Sequence, residues 1–217
     1  MTALALFALA STELHSSGMP RVETLTPKSQ VRSVWHRARV RLSPTQTIYE
    51  GTTLFRNTSD QKVDFRVMVP LITHGGTPPD VPVSAKWDGT AVAAGVGQTG
   101  PVSGETEVRW RPFTLSLPPR AWKVFESSLA LPLQRGGEGK VERQVLYSVP
   151  PQPQGLDQFQ LSIVYPKELV FQMVGTDPKK GWEIGPTGAW WRAKDWKAPA
   201  TVFSFRFYAG TFEPIGD

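Results

Sequence analysis

Val63-Asp64-Phe65-Arg66-Val67-Met68-Val69-Pro70 decides how this chain is read. Val63, Phe65, Val67 and Val69 fall on one side, while Asp64, Arg66 and Met68 fall on the other, with Lys62 just ahead of them. A period of two with one polar side is the mark of a half-buried β-strand. Thr47–Arg56 reads as the preceding strand, and Asn57-Thr58-Ser59-Asp60 between them is turn chemistry. The pair is a β-hairpin, and Pro70 is expected to end its second strand.

The same grammar extends in both directions. Val34, His36, Ala38, Val40 and Leu42 share one face of a strand over 31–42, with Arg37, Arg39 and Arg41 on the other. Asp88-Gly89 between Val83–Trp87 and Thr90–Ala93 predicts a type I′ hairpin, whose two central residues both need positive φ. Further strands are expected over 108–117, 122–133, 141–149 and 159–165, with more in 169–173, 188–192 and 201–208. Residues 73–82 and 94–104 read as loops, the second flexible. No window of helical length keeps an i, i+3, i+4, i+7 apolar pattern free of Pro and Gly.

About twelve short strands at this spacing predict an all-β protein, specifically an antiparallel, Ig-like β-sandwich. Nineteen Gly and twenty Pro among 217 residues fit that reading, because they fall between the apolar runs as punctuation. Pro150-Pro151-Gln152-Pro153 reads as a stiff linker. It separates a sandwich over 31–149 from 155–213, which is either a second small β lobe or additional C-terminal strands of the same sandwich. Residues 1–30 are expected to be a leader with a flexible segment. Met1–Ala10 is apolar, ends in Ala8-Leu9-Ala10 and is followed by a polar stretch, which reads as an export signal without a basic start. The expected location is secreted or periplasmic. The run is too short to span a bilayer as a helix, so no integral membrane protein is expected.

Several of these segments carry short motifs: the Phe55-Arg56-Asn57 corner, the strand ending Val69-Pro70, the Trp87-Asp88-Gly89 hairpin and the Tyr147-Ser148-Val149-Pro150 strand end. Over roughly 45–150 the chain resembles secreted bacterial β-sandwich families of unknown function and is weakly similar to vault/inter-alpha-trypsin type domains. The resemblance implies an extracytoplasmic interaction module and supplies no catalytic residues.

Chemistry is constrained mainly by what is missing. With no Cys, disulfides, Cys-ligated zinc, iron–sulfur clusters and thiol catalysis are excluded. The three His residues are far apart in sequence, and neither H-E-x-x-H nor G-x-S-x-G occurs. No catalytic residue, metal site or cofactor is expected. The net charge of +5 comes from Lys and Arg spread along the chain among acidic residues, so nucleic acid is not an expected partner. His36, on the apolar face of its strand, is expected to be a core histidine. Asn57-Thr58-Ser59 matches the glycosylation acceptor pattern, but a turn residue that tolerates left-handed φ is the expected role.

Two clusters remain as candidate sites. Trp182, Trp190, Trp191 and Trp196 lie among cations, with Arg192 beside the central pair. Exposed indoles next to cations suit sugar stacking or a protein interface, while the plainer role is to cover the end of the sandwich. In a strand, Trp190 and Trp191 must point to opposite faces. Arg37, Arg39 and Arg41 form a basic patch, their guanidinium groups ~6.6–7 Å apart along the strand. Such forks match carboxylate or phosphate, and the plainer role is a charged edge that resists pairing. The expected function is therefore a non-catalytic extracytoplasmic binding module of the cell envelope, its partner a protein or a glycan. The alternatives are a carbohydrate-active enzyme with paired carboxylates and a structural subunit that assembles by strand addition.

Overall fold

A computed structural model of the protein describes residues 14–25, 30–100, 106–132, 141–167, 169–197 and 199–209. The expected apolar leader, residues 133–140 and the chain end lie outside the described residues. Among the described residues there are sixteen strands and no helix, so none is long and apolar enough to cross a membrane.

The strands are β1 (Leu14–Gly18), β2 (Arg21–Thr24), β3 (Val31–Leu42), β4 (Gln46–Asn57), β5 (Val63–His74), β6 (Val83–Trp87), β7 (Thr90–Val92) and β8 (Gln98–Thr99). They continue with β9 (Thr106–Leu117), β10 (Trp122–Pro132), β11 (Val141–Val149), β12 (Leu156–Val164), β13 (Val170–Asp177), β14 (Trp182–Gly185), β15 (Gly188–Trp196) and β16 (Thr201–Ala209). They form two sheets. Sheet A has the order β13-β16-β11-β1-β5-β9-β8, with β2 also on β5. Sheet B has the order β14-β15-β12-β3-β4-β10-β6-β7.

The all-β expectation holds, but the sheets are mixed. β1 runs parallel to β11, and β12 runs parallel to β3. Neither sheet is the purely antiparallel, Ig-like arrangement expected from sequence. Parallel neighbours require long returns of the chain, which period-two patterns cannot reveal. The C-terminal strands enter both sheets: β16 pairs with β11 in sheet A, and β12 pairs with β3 in sheet B. The Pro150–Pro153 stretch carries the chain from sheet A to sheet B. The N-terminal segment expected to be flexible contains β1 and β2, both paired in sheet A.

Turn chemistry behaves as the residues dictate. Asp88 and Gly89 have φ of 53° and 81°, the two positive values of a type I′ turn. Pro70 departs from expectation, because β5 runs through it to His74. β1 pairs with Leu71–His74 and β2 with Phe65–Met68, so Val69 and Pro70 fall in the gap between those partners. A residue without an N–H costs least where no neighbour strand is paired. The Pro70 carbonyl accepts a bond from the Ser17 hydroxyl, 2.7 Å away.

Asn57 is fully buried at the end of β4 and is not among the residues with positive φ. Its amide nitrogen donates to the carbonyls of Gln61 (2.6 Å), Pro118 (2.9 Å) and Leu117 (3.2 Å). Its oxygen accepts from the Ser59 amide and hydroxyl at 2.9 and 2.8 Å. With both ends engaged, the side chain ties the β4 corner to the end of β9 and is closed to glycosylation.

The core lies between the sheets and is dominated by Phe: Phe55, Phe125 and Phe159 from sheet B meet Phe65, Phe113, Phe203, Phe205 and Phe207 from sheet A. A buried polar cluster around His36 interrupts it. His36 is fully buried, bonded through Nδ1 to Thr53 Oγ1 (2.8 Å) and through Nε2 to the Tyr147 hydroxyl (2.6 Å). Its partners satisfy both ring nitrogens, the condition under which a buried imidazole is tolerated.

Candidate functional site

With the core faces assigned, the remaining chemistry lies on the outer face of sheet B. The sheet register stacks two cross-strand rows there. One runs Arg192, Gln160, Arg37, Thr52, Glu126, Lys86, Ala91. The other runs Trp190, Ser162, Arg39, Glu50, Ser128, Ser84. From β12 to β7 these rows line a groove of about 660 Å³. Its floor is made of small residues, among them Thr52, Ser84, Ser128, Ser162 and Ala91. Ser162 Oγ donates to the Ala38 carbonyl (3.1 Å) and Ser84 Oγ to the Ser128 carbonyl (3.2 Å), so both hydroxyl protons are committed and the oxygens keep their capacity to accept.

Ion pairs organise the charges. Arg41 Nη2 donates to Glu50 Oε1 at 2.8 Å. Glu126 stands directly opposite Lys86 in the register. Arg37 stacks on Trp35, its Cζ 5.2 Å from the ring centre. Arg37, Arg39 and Arg192 are exposed, and none of the three has a carboxylate within 4 Å among the described residues. The predicted basic row therefore lies on one face as expected, but on an interior strand: β3 is paired on both sides, with β12 and β4. It does not protect an edge. Arg41 is committed to Glu50, and Arg37 and Arg39 belong to the groove.

The tryptophan cluster divides. Trp191 and Trp196 pack on the core ring of Phe159 at 5.8 and 4.7 Å between ring centres, and Trp182 and Trp191 meet Phe203 at 6.1 and 4.9 Å. The indole N–H groups of Trp182 and Trp191 donate to the carbonyls of Pro178 (3.0 Å) and Lys180 (3.1 Å). These three are cover for the end of the core, a correction to their expected role as ligand platform. Burial of large rings beside Phe159 and Phe203 outweighs any gain from exposing them. Trp190 pairs with Ser162 where Trp191 pairs with Leu161, so it faces the opposite side with Arg192. Its six-membered ring lies over Gly185 and Gly188, where a Cβ would come within 3.3 and 2.9 Å of ring atoms. Only glycine lets the indole settle so close to the sheet.

The expected loops contribute elsewhere. Asp80, in the 75–82 loop, pairs with Arg111 and Arg109 of β9. Part of the predicted flexible loop forms β8, two residues paired with Arg109 and Trp110. Among the described residues no group of three or more His, Asp and Glu is placed to hold a metal ion. Sequence reasoning missed Glu50, Glu126, Lys86, Gln160 and Ser162. Their signal was the polar parity of each strand, but nothing in the sequence says which strands are neighbours.

Comparison with known proteins places the fold and no more. No family model matches the chain, and no curated protein matches it. Among solved structures it is similar to a Legionella pneumophila protein described as a "putative nutrient binding protein". The TM-score is 0.62 at 14% identity, over 88% of this chain and 72% of that one. An M1 zinc metallopeptidase from Deinococcus radiodurans aligns at a TM-score of 0.38 and 11% identity, over 82% of this chain and 42% of that one. At these identities the first match speaks for shared architecture, a two-sheet all-β fold.

Proposed function

We propose that the protein is a non-catalytic extracytoplasmic binding module of the cell envelope and that its ligand is a glycan chain held in the groove of sheet B. The observation that carries this reading is the groove itself: about 660 Å³, floored by short hydroxyl-bearing side chains and walled by hydrogen-bonding groups. Ligand sites combine a preformed concavity with a few fixed polar groups, and sugars need both donors and acceptors along their length. A rigid sheet supplies these at fixed spacing. The structural likeness to a protein described as nutrient-binding and the motif resemblance to secreted β-sandwich families are compatible with such a module. An apolar leader ending in Ala8-Leu9-Ala10 supports export.

The test is co-sedimentation of the chain with insoluble envelope and plant polysaccharides, comparing the native sequence with Thr52→Trp. Thr52 lies in mid-groove on the outer face, so an indole there fills the site without entering the core. Native chain in the pellet and the variant in the supernatant, with matching melting temperatures, is the expected result. A chain that stays in the supernatant with every polysaccharide ends the glycan reading and leaves a protein partner.

A catalytic reading has one observation in its favour. Glu50 and Glu126 occupy diagonal positions on neighbouring strands of the groove, with backbones ~7–8 Å apart. Glycosidases use two carboxyl groups across a cleft. Here Glu50 is bonded to Arg41 and Glu126 is exposed, so neither has the apolar enclosure of a general acid. Loss of a measurable hydrolytic activity in Glu126→Gln would establish the enzyme. Strand addition has less to work with. The terminal strands of sheet B have four and three residues, β8 has two, and β13 carries two register shifts. Short and bulged edges pair poorly with a further strand.

A further inference from the structure

The charges on this face are not balanced evenly. Glu50 is bonded to Arg41 and also stands opposite Arg39 in the register, and Glu126 stands opposite Lys86. Elsewhere several arginines pair with carboxylates, as in Arg120 with Asp60, Arg32 with Asp157 and Arg111 with Asp80, while Arg21 and Arg56 lie over Trp110 and Trp122. Arg37, Arg39 and Arg192 make no ion pair within 4 Å among the described residues, and the register gathers them. Arg37 and Arg192 flank Gln160 in one row, and Arg39 and Trp190 flank Ser162 in the next. Two strand spacings put Arg37 and Arg192 ~10 Å apart, and one pleat repeat puts Arg37 and Arg39 ~7 Å apart. A patch of that size takes one or two sugar rings. It offers three guanidinium forks, an amide, a hydroxyl and an indole lying low on the sheet. Sugar rings stack on indole faces, and guanidinium forks take carboxylates with two parallel hydrogen bonds. Like charges gathered this way repel one another, and an added anion among them relieves that repulsion.

We propose that the patch on β3, β12 and β15 is an acidic-sugar subsite, binding a carboxylate-bearing pyranose of a polyanionic glycan whose chain continues into the groove. The proposal rests on the glycan reading above and adds the charge of the ligand to it. Trp190 carries the ring, and Arg37, Arg39 and Arg192 hold the carboxylate. Ligand charge, not only ligand shape, then sets affinity, and binding weakens as salt screens the guanidinium groups.

The experiment is calorimetric titration of the full chain with oligogalacturonate of about eight sugars and with its fully methyl-esterified form. The acid should bind at least about tenfold more tightly than the ester, since charged hydrogen bonds are lost in the ester. The double variant Arg37→Gln/Arg39→Gln should abolish that preference without shifting the melting temperature, and added sodium chloride should weaken the acid alone. A single variant, Arg192→Gln, should lower acid affinity in the same direction. Equal affinity for acid and ester overturns the acidic-sugar subsite and leaves the glycan reading intact. No binding of either form, together with no co-sedimentation of the chain with any polysaccharide, removes both.

Discussion

His36 of sheet B and Tyr147 of sheet A are joined through the core by a hydrogen bond of 2.6 Å from ring nitrogen to phenol oxygen. It links residues 111 positions apart in sequence, inside a largely apolar core rich in Phe, Leu and Val. Tyr49 lies close enough that it and burial together push the Tyr147 phenol well above its ordinary value, so the hydroxyl keeps its proton.

Burial lowers the His36 pKa from 6.5 to about 3. Because the folded value lies below the unfolded one, the unfolded chain binds the extra proton between those two values. Stability supplied by neutral His36 is therefore complete above about pH 6.5 and is lost as pH falls towards 3. Denaturant melts at pH 7, 5 and 4 should show that decline, and His36→Gln, which cannot titrate, should flatten it. An unchanged slope in the variant would assign the acid sensitivity to carboxylates.

Tyr147→Phe removes one hydroxyl and leaves His36 Nε2 buried without a partner. The expected loss is about 1–3 kcal/mol, the desolvation cost of an unpaired polar group. Urea unfolding of the variant beside Phe203→Tyr, which adds a hydroxyl to the same core, would separate loss of the bond from general disturbance of the packing.

Asn57 makes a stricter case. Its nitrogen serves three carbonyls, so Asn57→Asp would set a carboxylate against them. A loss of about 3 kcal/mol or more is expected, larger than for Asn57→Ala. Calorimetric melting temperatures of the two variants give the order directly.

The two adjacent tryptophans should behave as opposites. Trp191→Ala opens the core beside Phe159 and Phe203 and should cost about 3 kcal/mol or more. Trp190→Ala should change the melting temperature much less and should lower affinity for the glycan bound in the groove. Large and equal losses of stability would place both rings in the core.

For the leader, mass spectrometry of protein expressed with its full sequence in a host with an export apparatus should find an N-terminus near Ser11. Such a cut leaves β1, which starts at Leu14, whole. An intact Met1 on the exported protein would refute cleavage at this site.

The alternation along β3, β5 and β11 exposes the sheet-forming faces directly, which is why His36, Phe65 and Val145 could be assigned to the interior from spacing alone. Opposite facing of Trp190 and Trp191 follows from the same period. What spacing cannot supply is neighbourhood. Arg37 and Arg192 meet across β12 only because β12 inserts in parallel between β3 and β15, a register set by packing of the two sheets and by no local preference. Leu14–Gly18 hid for a similar reason: His, Ser and Gly are poor strand formers, and they pair because β5 and β11 stand ready on both sides.

That insertion of β1 has a consequence for biogenesis. Leu14–Gly18 has its parallel neighbour β11 more than a hundred residues further along the chain, and β3 likewise waits for β12. Neither sheet can close until most of the chain has been synthesised. Pairings this distant slow folding, so the early strands stay without their parallel partners until β11 and β12 are available.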